Sequence, residues 1–218
     1  MRLAGDERTR WYPISDDQAD ALTAQLRSGA AWITTATLNN RALLMQAAAL
    51  QRLVLLDDDA DEPDGDWAVQ WDNAVGYTQD VYEALDACYL SGSRADRSPA
   101  MDAARSIIDG QRLGECDLHG LLRLTRLTYR DGSVTVLPMD ARASWATFHA
   151  ASEGEVLPLI DLACLGHGYE CFAPREQVAL LDMPLHRLLE AAADMLGELQ
   201  AESARREQRR GTMLLEAA

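Results

Sequence analysis

The apolar pattern changes its period over residues 122–137, and this change most restricts the folds open to the chain. Leu122-Arg-Leu-Thr-Arg-Leu-Thr-Tyr-Arg130 alternates between apolar and polar side chains, and Ser133-Val-Thr-Val-Leu137 alternates again. Alternation places successive side chains on opposite faces of a strand, whereas a helix repeats every three or four residues. Because Asp131-Gly132 separates the two runs, the sequence predicts an antiparallel hairpin with a type I′ turn and a positive φ at Gly132.

Most of the remaining chain has helical spacing. Ser, Asp, Asn and Pro mark the predicted starts, and Gly marks several of the predicted ends. The second predicted helix rests on Leu43, Ala47, Leu50 and Val54, which recur at intervals of three and four. The helices predicted in this way are Ser15 to Gly29, Asn39 or Asn40 through Val54, Thr78 to Leu90, Ser98-Pro99 to Gly110, one that Asp140 caps, and a long one that Pro184 opens.

The last predicted helix carries an apolar stripe that ends at Leu199. Glu and Arg residues dominate after that point, so we expect this end to project into solvent. The tail from Thr212 follows a glycine and is predicted to be loose. The stripe consists of Leu185, Leu188, Leu189, Ala192, Leu196 and Leu199.

Together these elements predict an α+β fold that is rich in helix. It contains a small antiparallel sheet with a hairpin near 122–137 and a long C-terminal helix. The 218 residues suit a single domain, with residues 91–98 as a candidate subdivision and residues 200–218 as a projecting helix end and loose tail.

One stretch of the chain is strongly acidic. No basic residue lies between Arg52 and Arg94, and Trp67, Trp71 and other aromatic residues are interspersed with the acidic ones. Like charges in one segment repel, so the segment must be solvated, neutralised by a cation or bound by a basic partner. Its acidic residues are Asp57, Asp58, Asp59, Asp61, Glu62, Asp64, Asp66, Asp72, Asp80, Glu83 and Asp86.

The charge pattern favours an acidic binding protein without enzymatic activity. Carboxylates on a rigid surface can occupy a groove that normally holds phosphates, and aromatic side chains can stack where bases would. We therefore expect an inhibitor or regulator of a nucleic-acid-binding protein, a nucleic-acid mimic of the anti-defence type. The predicted partner-binding residues are Asp57, Asp58, Asp59, Asp61, Glu62, Asp64, Asp66, Trp67, Trp71, Asp72, Asp80 and Glu83.

Two metal sites are alternatives to this interpretation. The run from Asp57 to Asp66 resembles a calcium loop in composition, but aligning Gly65 with position six puts Trp71 at position twelve, where an EF-hand needs Glu. Zinc ligands are suggested by the repeated Cys-x-x-His at Cys116 and His119 and at Cys164 and His167. Paired Cys-x-x-Cys is the stronger zinc signature, so no metal and no cofactor is expected.

Composition excludes several enzyme classes. The chain has no lysine, which excludes the usual P-loop, protein-kinase and pyridoxal mechanisms. A small hydrolase using carboxylates or His119 and His167 stays open as an alternative, as does a scaffold subunit whose C-terminal helix packs into an oligomer. The net charge of −15 predicts no direct binding to nucleic acid or to anionic membranes.

The expected location is the cytoplasm. Met1 to Pro13 is polar and charged, unlike a secretory signal, and the four cysteines are too widely spaced for a disulfide scaffold. The longest apolar stretch, Val156 to Leu165, contains Pro158 and Asp161 and is too short to span a bilayer.

Overall fold

A computed structural model describes residues 1–6, 9–57, 65, 78–91, 99–111, 115–153, 157–158 and 172–216. The fold is α+β, as the sequence predicts. The helices are α1 (Asp16–Arg27), α2 (Gln79–Ser91), α3 (Pro99–Gln111), α4 (Glu115–Arg123), α5 (Ala141–Glu153) and α6 (Leu185–Glu216). The strands are β1 (Arg2–Leu3), β2 (Trp32–Ala36), β3 (Arg41–Gln46), β4 (Leu50–Arg52), β5 (Leu124–Tyr129), β6 (Val134–Pro138), β7 (Leu157–Pro158), β8 (Phe172–Ala173) and β9 (Val178–Pro184).

Five of these strands form the main antiparallel sheet, in the order β2-β3-β9-β5-β6. The central strand β9 is buried along its whole length, and Leu181 lies opposite Leu44 of β3 on one side and Leu127 of β5 on the other. Burial on both faces removes the alternation of polar and apolar residues from such a strand. Shorter pairs join β1 with β4 and β7 with β8.

Each face of the sheet packs against different elements. On one face, Leu44, Leu181 and Met183 pack with residues of α5 and the start of α6. On the other face, Leu43 and Leu180 pack with α1 and with the N-terminal segment. A third apolar cluster holds α2, α3 and α4 together. No helix within the described ranges is both long and apolar enough to cross a membrane.

Several predicted elements are confirmed. Helix α1 begins after Ser15, whose Oγ accepts from the Gln18 backbone N–H, and Gly29 follows its end with a φ of 73°. Helices α2 and α3 lie at the predicted positions, and the Asp140 carboxylate accepts from the Ala143 N–H at 2.7 Å to cap α5. These elements are specified by local caps, which the sequence shows directly.

The predicted helix from Asn39 or Asn40 to Val54 is wrong. Residues 41–46 form strand β3, a short 3-10 turn covers residues 47–49, and β4 follows. The contiguous apolar run Ala42 to Met45 is buried on both faces of the sheet, between β2 and β9. The spacing of Leu43, Ala47 and Leu50 therefore arises from a buried strand followed by a turn, which resembles a helical pattern by coincidence.

The predicted hairpin is confirmed as β5 and β6, with a different turn. Residues 122 and 123, predicted as strand, belong to the last turn of α4. The Gly132 N–H donates to the Tyr129 carbonyl at 3.0 Å, and Gly132 has a φ of 83°. Asp131 does not share the positive φ that a type I′ turn requires, so the loop is the three-residue type that ends in a left-handed glycine.

The C-terminal helix differs from the prediction at both its stripe and its tail. Leu188 and Ala191 are buried, but Leu196 and Leu199 are exposed, so the helix leaves the core before the predicted stripe ends. Residues 212–216, predicted to be loose, continue the helix through Gly211. Residues 92–98 of the candidate subdivision at 91–98 lie outside the described residues, and so do residues 58–64 and 66 of the acidic run from Asp57 to Asp66.

Gly132 also allows a close contact between the hairpin and the N-terminal segment. A Cβ at Gly132 would lie 2.9 Å from the Gly5 carbonyl oxygen, whereas one at Gly29, with a similar φ of 73°, would have no atom of the described residues within 4 Å. We expect Gly29→Ala to lower the free energy of unfolding by about 1 kcal/mol through backbone strain alone. Gly132→Ala should cost about 2 kcal/mol or more, because the clash adds to the strain. Urea denaturation of both variants measures this, and equal losses would contradict the packing contact.

Candidate functional site

The predicted partner surface is described in part. Asp57 is exposed after β4, and Asp80 and Glu83 are exposed on α2. The two α2 residues are three apart and therefore lie near each other on the helix surface. The other predicted partner-binding residues lie outside the described residues, namely Asp58, Asp59, Asp61, Glu62, Asp64, Asp66, Trp67, Trp71 and Asp72.

Two members of the acidic stretch turn inward instead. Asp86 is 8 % exposed and pairs with arginines, so it is neutralised inside the protein. Tyr82 is buried in the cluster that joins α2, α3 and α4, and its hydroxyl donates to the Leu38 carbonyl at 3.4 Å. Neither side chain is available to a partner. The inward face of α2 serves packing, and only its outer face carries accessible charge.

The structure describes part of one of the two predicted zinc motifs, and the zinc hypothesis stays a prediction. Cys116 and His119 belong to α4, where the His119 Nδ1 lies 3.4 Å from the Tyr89 hydroxyl and the two rings are in contact. The Arg123 guanidinium lies over the Tyr89 ring. Cys164 and His167 lie outside the described residues. Within the described ranges, no three His, Cys, Asp or Glu side chains converge as a metal site requires.

Six polar side chains meet inside the described part of the protein, and we define them as the buried polar cluster: Asn40, Arg41, Asp86, Asp182, His186 and Arg187. Its first part joins the strands of the sheet. The Arg41 Nε donates to the Asp182 carboxylate at 2.5 Å, and the Tyr12 hydroxyl donates to the second carboxylate oxygen at 3.2 Å. Burial of Tyr12, together with the nearby Asp182 charge, raises the pKa of its phenol well above the ordinary value.

Arg41 also connects the sheet to helix α4. Its guanidinium donates to the Leu124 carbonyl at 2.7 Å and to the Leu121 carbonyl at 3.3 Å. Leu121 is in the last turn of α4, where carbonyl groups lack helical partners and the helix dipole favours a cation. One arginine therefore satisfies a carboxylate, a strand carbonyl and a helix terminus.

The second part of the buried polar cluster fixes the start of α6. Asn40 has a φ of 63° and turns the chain into β3, while its side-chain oxygen accepts from the His186 N–H at 3.0 Å. The His186 ring Nδ1 lies 2.8 Å from the Asn40 side-chain nitrogen. Burial, with smaller effects from Arg187, Arg41 and Arg123, lowers the pKa of His186 to about 3. The imidazole is therefore neutral near pH 7.

The third part joins α2 to α6. The Arg187 guanidinium donates to both Asp86 oxygens at 2.9 Å and to Glu190 at 2.8 Å, and Arg123 lies 3.5 Å from Asp86. Burial raises the pKa of the Asp86 carboxyl above its ordinary value, although Arg187 and Arg123 act in the opposite direction. The ion pair is bidentate, which fixes the angle between the two helices more closely than a point charge would.

These contacts give the buried polar cluster a structural character. Both carboxylates are held by arginine, and burial separates them from solvent. His186 Nε2, Arg187 Nε and Arg123 Nε are buried and have no hydrogen-bond partner among the described residues. Unsatisfied buried polar groups lower stability, so the remaining contacts of the cluster must offset that cost.

The sequence-based interpretation did not identify the buried polar cluster. Arg41 and Asp182 are 141 positions apart, and Asp86 was grouped with the solvated acids. One signal was available, because Asp182 is the single charge in the apolar run Val178 to Pro184. A lone charge in such a run requires a buried partner. No signal in the sequence identifies which arginine supplies it.

Comparison with known proteins yields no relative: no family model, no curated protein and no solved structure matches the chain.

The ion pair in the sheet should contribute strongly to stability. Asp182→Asn leaves the buried Arg41 charge without its counter-charge, and we expect the free energy of unfolding to fall by about 3–5 kcal/mol. Asp102→Asn is the matched control, since the Asp102 side chain is 69 % exposed and lies 3.7 Å from Arg105. That change should cost less than about 0.5 kcal/mol. Chemical denaturation measures both, and a small loss for Asp182→Asn would contradict the assigned role of the pair.

His186 should make stability depend on pH. The unfolded chain binds a proton at His186 near pH 6.5, whereas the folded protein does so only near pH 3. Between these values the unfolded state holds the extra proton, so the free energy of unfolding falls as the pH falls, by up to about 1.4 kcal/mol per pH unit. Denaturation at several pH values should show a shallower slope for His186→Gln. Identical slopes for the wild type and His186→Gln would show that burial does not lower the pKa of the wild-type imidazole.

Proposed function

We propose that this protein is an acidic, non-enzymatic binding protein that docks on the basic surface of a nucleic-acid-binding protein and inhibits or regulates it. The outer face of α2 and Asp57 form the described part of the docking surface, and the acidic stretch between them continues it in the sequence.

The observation that carries this proposal is the unequal distribution of charge between interior and surface. Three acids are buried among the described residues, and each pairs with arginine. Asp6 pairs with Arg10, Asp86 with Arg187 and Arg123, and Asp182 with Arg41. The exposed arginines of the same ranges are Arg27, Arg52, Arg126, Arg130, Arg142 and Arg205. The exposed acids outnumber them and are Asp16, Asp17, Asp20, Asp57, Asp80, Glu83, Asp102, Asp109, Asp131, Asp140, Glu176, Glu190, Asp194, Glu198 and Glu202.

The negative field therefore originates at the surface. Each buried ion pair is neutral as a whole, so the net charge of −15 is carried by residues outside these pairs. Such a field attracts a basic groove over a distance and raises the rate of association. It repels nucleic acid itself, which favours a protein partner over DNA or RNA.

Helix α2 offers the best-defined part of this surface. Its inner face, with Val81 and Leu85, is buried in the apolar cluster with α3 and α4. The ion pair between Asp86 and Arg187 connects this face to α6. Asp80 and Glu83 are therefore presented on a helix that is fixed in place. Rigid presentation lowers the entropy lost on binding, which is what a mimic of regularly spaced phosphates requires.

The hydrolase alternative with His119 and His167 stays a prediction, but the buried polar cluster does not supply catalytic groups for it. General acid–base catalysis needs a carboxyl or imidazole within reach of a substrate proton. Asp86 and Asp182 are each bound to arginine and buried, and His186 is buried beside Asn40. These groups contribute to stability in the arrangement described above.

The test is affinity capture from a nuclease-treated lysate of the source organism. We expect the wild-type chain to retain a basic nucleic-acid-binding protein that added duplex DNA displaces. Asp80→Arg with Glu83→Arg should raise the dissociation constant of the complex with the purified partner by about tenfold or more, because two attractive charges become repulsive. This difference should shrink at high salt, as the Debye length falls to about 3 Å at 1 M.

The matched control is Asp102→Arg with Asp109→Arg on α3. It changes the net charge equally, and Asp102 lies in the first turn of α3 as Asp80 does in that of α2. The control variant should bind like the wild type. An equal loss for both variants would indicate unspecific charge attraction, and a retained protein that DNA does not displace would overturn the proposed mimicry.

A further inference from the structure

The two edges of the main sheet differ in how their backbone groups are satisfied. At the edge formed by β2, the Gln25 side chain donates to the Thr34 carbonyl at 2.9 Å and accepts from the Thr34 N–H at 2.8 Å. The Gln18 side chain accepts from the Ala36 N–H at 3.1 Å. Two glutamines of α1 therefore occupy outward-facing groups that another strand would need. At the opposite edge, β6 pairs with β5 alone among the described strands.

The outward-facing backbone groups of β6 belong to Val134 and Val136. The Tyr129 N–H donates to the Ser133 carbonyl at 2.9 Å, which fixes the first hydrogen-bonded pair of the hairpin. Such pairs alternate with non-hydrogen-bonded pairs along an antiparallel ladder, so Thr135 directs its N–H and C=O towards β5. The N–H and C=O groups of Val134 and Val136 therefore point away from the sheet.

The side chains of the same two valines are exposed. Val134 and Val136 are 41 % and 45 % exposed, and they share one face because they are two residues apart in a strand. Strand β6, from Val134 to Pro138, carries no charged residue. Charged side chains on an edge strand protect a sheet against pairing with another chain, and an exposed apolar edge is a template for such pairing. The edge of β6 therefore has the properties of a strand-binding surface.

The charges around β6 favour a second copy of this chain as the partner. With a net charge of −15, two copies repel each other overall. The exposed charges beside β6 are nearly balanced, with Arg126, Arg130 and Arg142 against Asp131 and Asp140. The hairpin loop before the strand and the residues after it each carry one arginine and one aspartate. An antiparallel approach brings these ends together without repulsion, whereas a strongly basic or strongly acidic partner gains nothing from them.

We propose that β6 pairs with the β6 strand of a second copy in antiparallel orientation, about a two-fold axis that passes between the two Thr135 residues. Val134 of each copy then lies opposite Val136 of the other, and the outward N–H and C=O groups of both residues are paired. The side chains of these valines form one apolar cluster across the axis. Centring the axis on Val136 instead would set Val134 opposite Pro138, which has no N–H to donate. The backbone donors therefore select the first register.

This arrangement ends at two chains. The two-fold axis uses both copies of β6 in one contact and joins the two five-stranded sheets into one. Both outer edges of the joined sheet are then β2, where Gln18 and Gln25 bind the backbone. A third chain would have to displace these side chains, so we expect a dimer and not a filament.

The first test is the mass of the full chain in solution, measured by light scattering and sedimentation across the micromolar range. We expect twice the chain mass of 24.0 kDa, falling to a single chain on dilution. Val136→Pro removes an outward N–H, and proline is tolerated on edge strands where that group faces solvent. Val134→Glu with Val136→Glu sets like charges opposite each other. Both variants should stay a single chain at every concentration, with an unchanged circular dichroism spectrum.

The matched control is Leu196→Glu with Leu199→Glu, which changes two exposed leucines of α6 in the same way. This control should keep the mass of the wild type. A wild-type mass of one chain throughout the range overturns the proposal. Loss of the dimer in the control overturns it as well, because the contact would then involve α6. So does a dimer that survives in folded Val136→Pro.

The second test measures the register by disulfide formation and needs no variant that disrupts the strand. Across the axis, the two Thr135 residues form a non-hydrogen-bonded pair with Cα atoms about 4.5 Å apart, which is within the range of a disulfide. Thr135→Cys should therefore give a covalent dimer under mild oxidation, identified by mass spectrometry of the linked peptide.

Ser133→Cys is the matched control for this cross-link. In the proposed register, positions 133 of the two copies lie about 13 Å apart, because they are offset by four residues along the strand. The control should give no linked peptide at position 133. If Ser133→Cys cross-links as readily as Thr135→Cys, or if Thr135→Cys forms no covalent dimer, the proposed pairing of β6 is wrong.

Discussion

The ion pair of Arg41 and Asp182 is the interaction on which most of this structure depends. Asp182 lies in the middle of the central strand, where a carboxylate would be strongly destabilising without a partner. Arg41, from the neighbouring strand, supplies the charge and uses its remaining donors on the carbonyls of Leu121 and Leu124. The pair therefore fixes where α4 ends and β5 begins. Through α4 it also positions the cluster of α2, α3 and α4 against the sheet.

The basic side chains of this protein, apart from histidine, are all arginine, and arginine suits buried ion pairs better than lysine does. A guanidinium group has five donors in a planar fork and stays charged when it is buried, whereas a lysine ammonium loses its proton more easily. Arg41 and Arg187 each bind a carboxylate and at least one further acceptor. Each of these buried carboxylates is neutralised by its arginine, so the buried pairs add little to the net charge of the protein.

Two exposed helix faces of different character result from the same framework. The outer face of α2 carries the exposed side chains of Asp80 and Glu83, whereas α6 exposes Leu189, Leu196 and Leu199. The bidentate contact of Arg187 with Asp86 connects the two helices close to the beginning of α6.

The sequence by itself determined the elements that local chemistry specifies. Ser15, Asp140 and Pro99 mark helix starts through their caps or fixed φ, and the alternation around Gly132 specifies the hairpin. The exposure of Asp57, Asp80 and Glu83 also followed from the pattern of charges. Each of these features depends on neighbours within a few residues. No contact from a distant part of the chain is needed to form it.

Only the tertiary structure decided the centre of the molecule. Strand β3 was predicted as a helix and β9 was not predicted, because burial on both faces removes the polar residues that reveal a period. Asp86 has the same chemistry as the solvated acids around it, and only the approach of Arg187, 101 residues away, makes it an internal ion pair. Pairing between residues so far apart depends on how the helices and strands pack. The sequence fixes the charges of such residues, and the fold decides which of them meet.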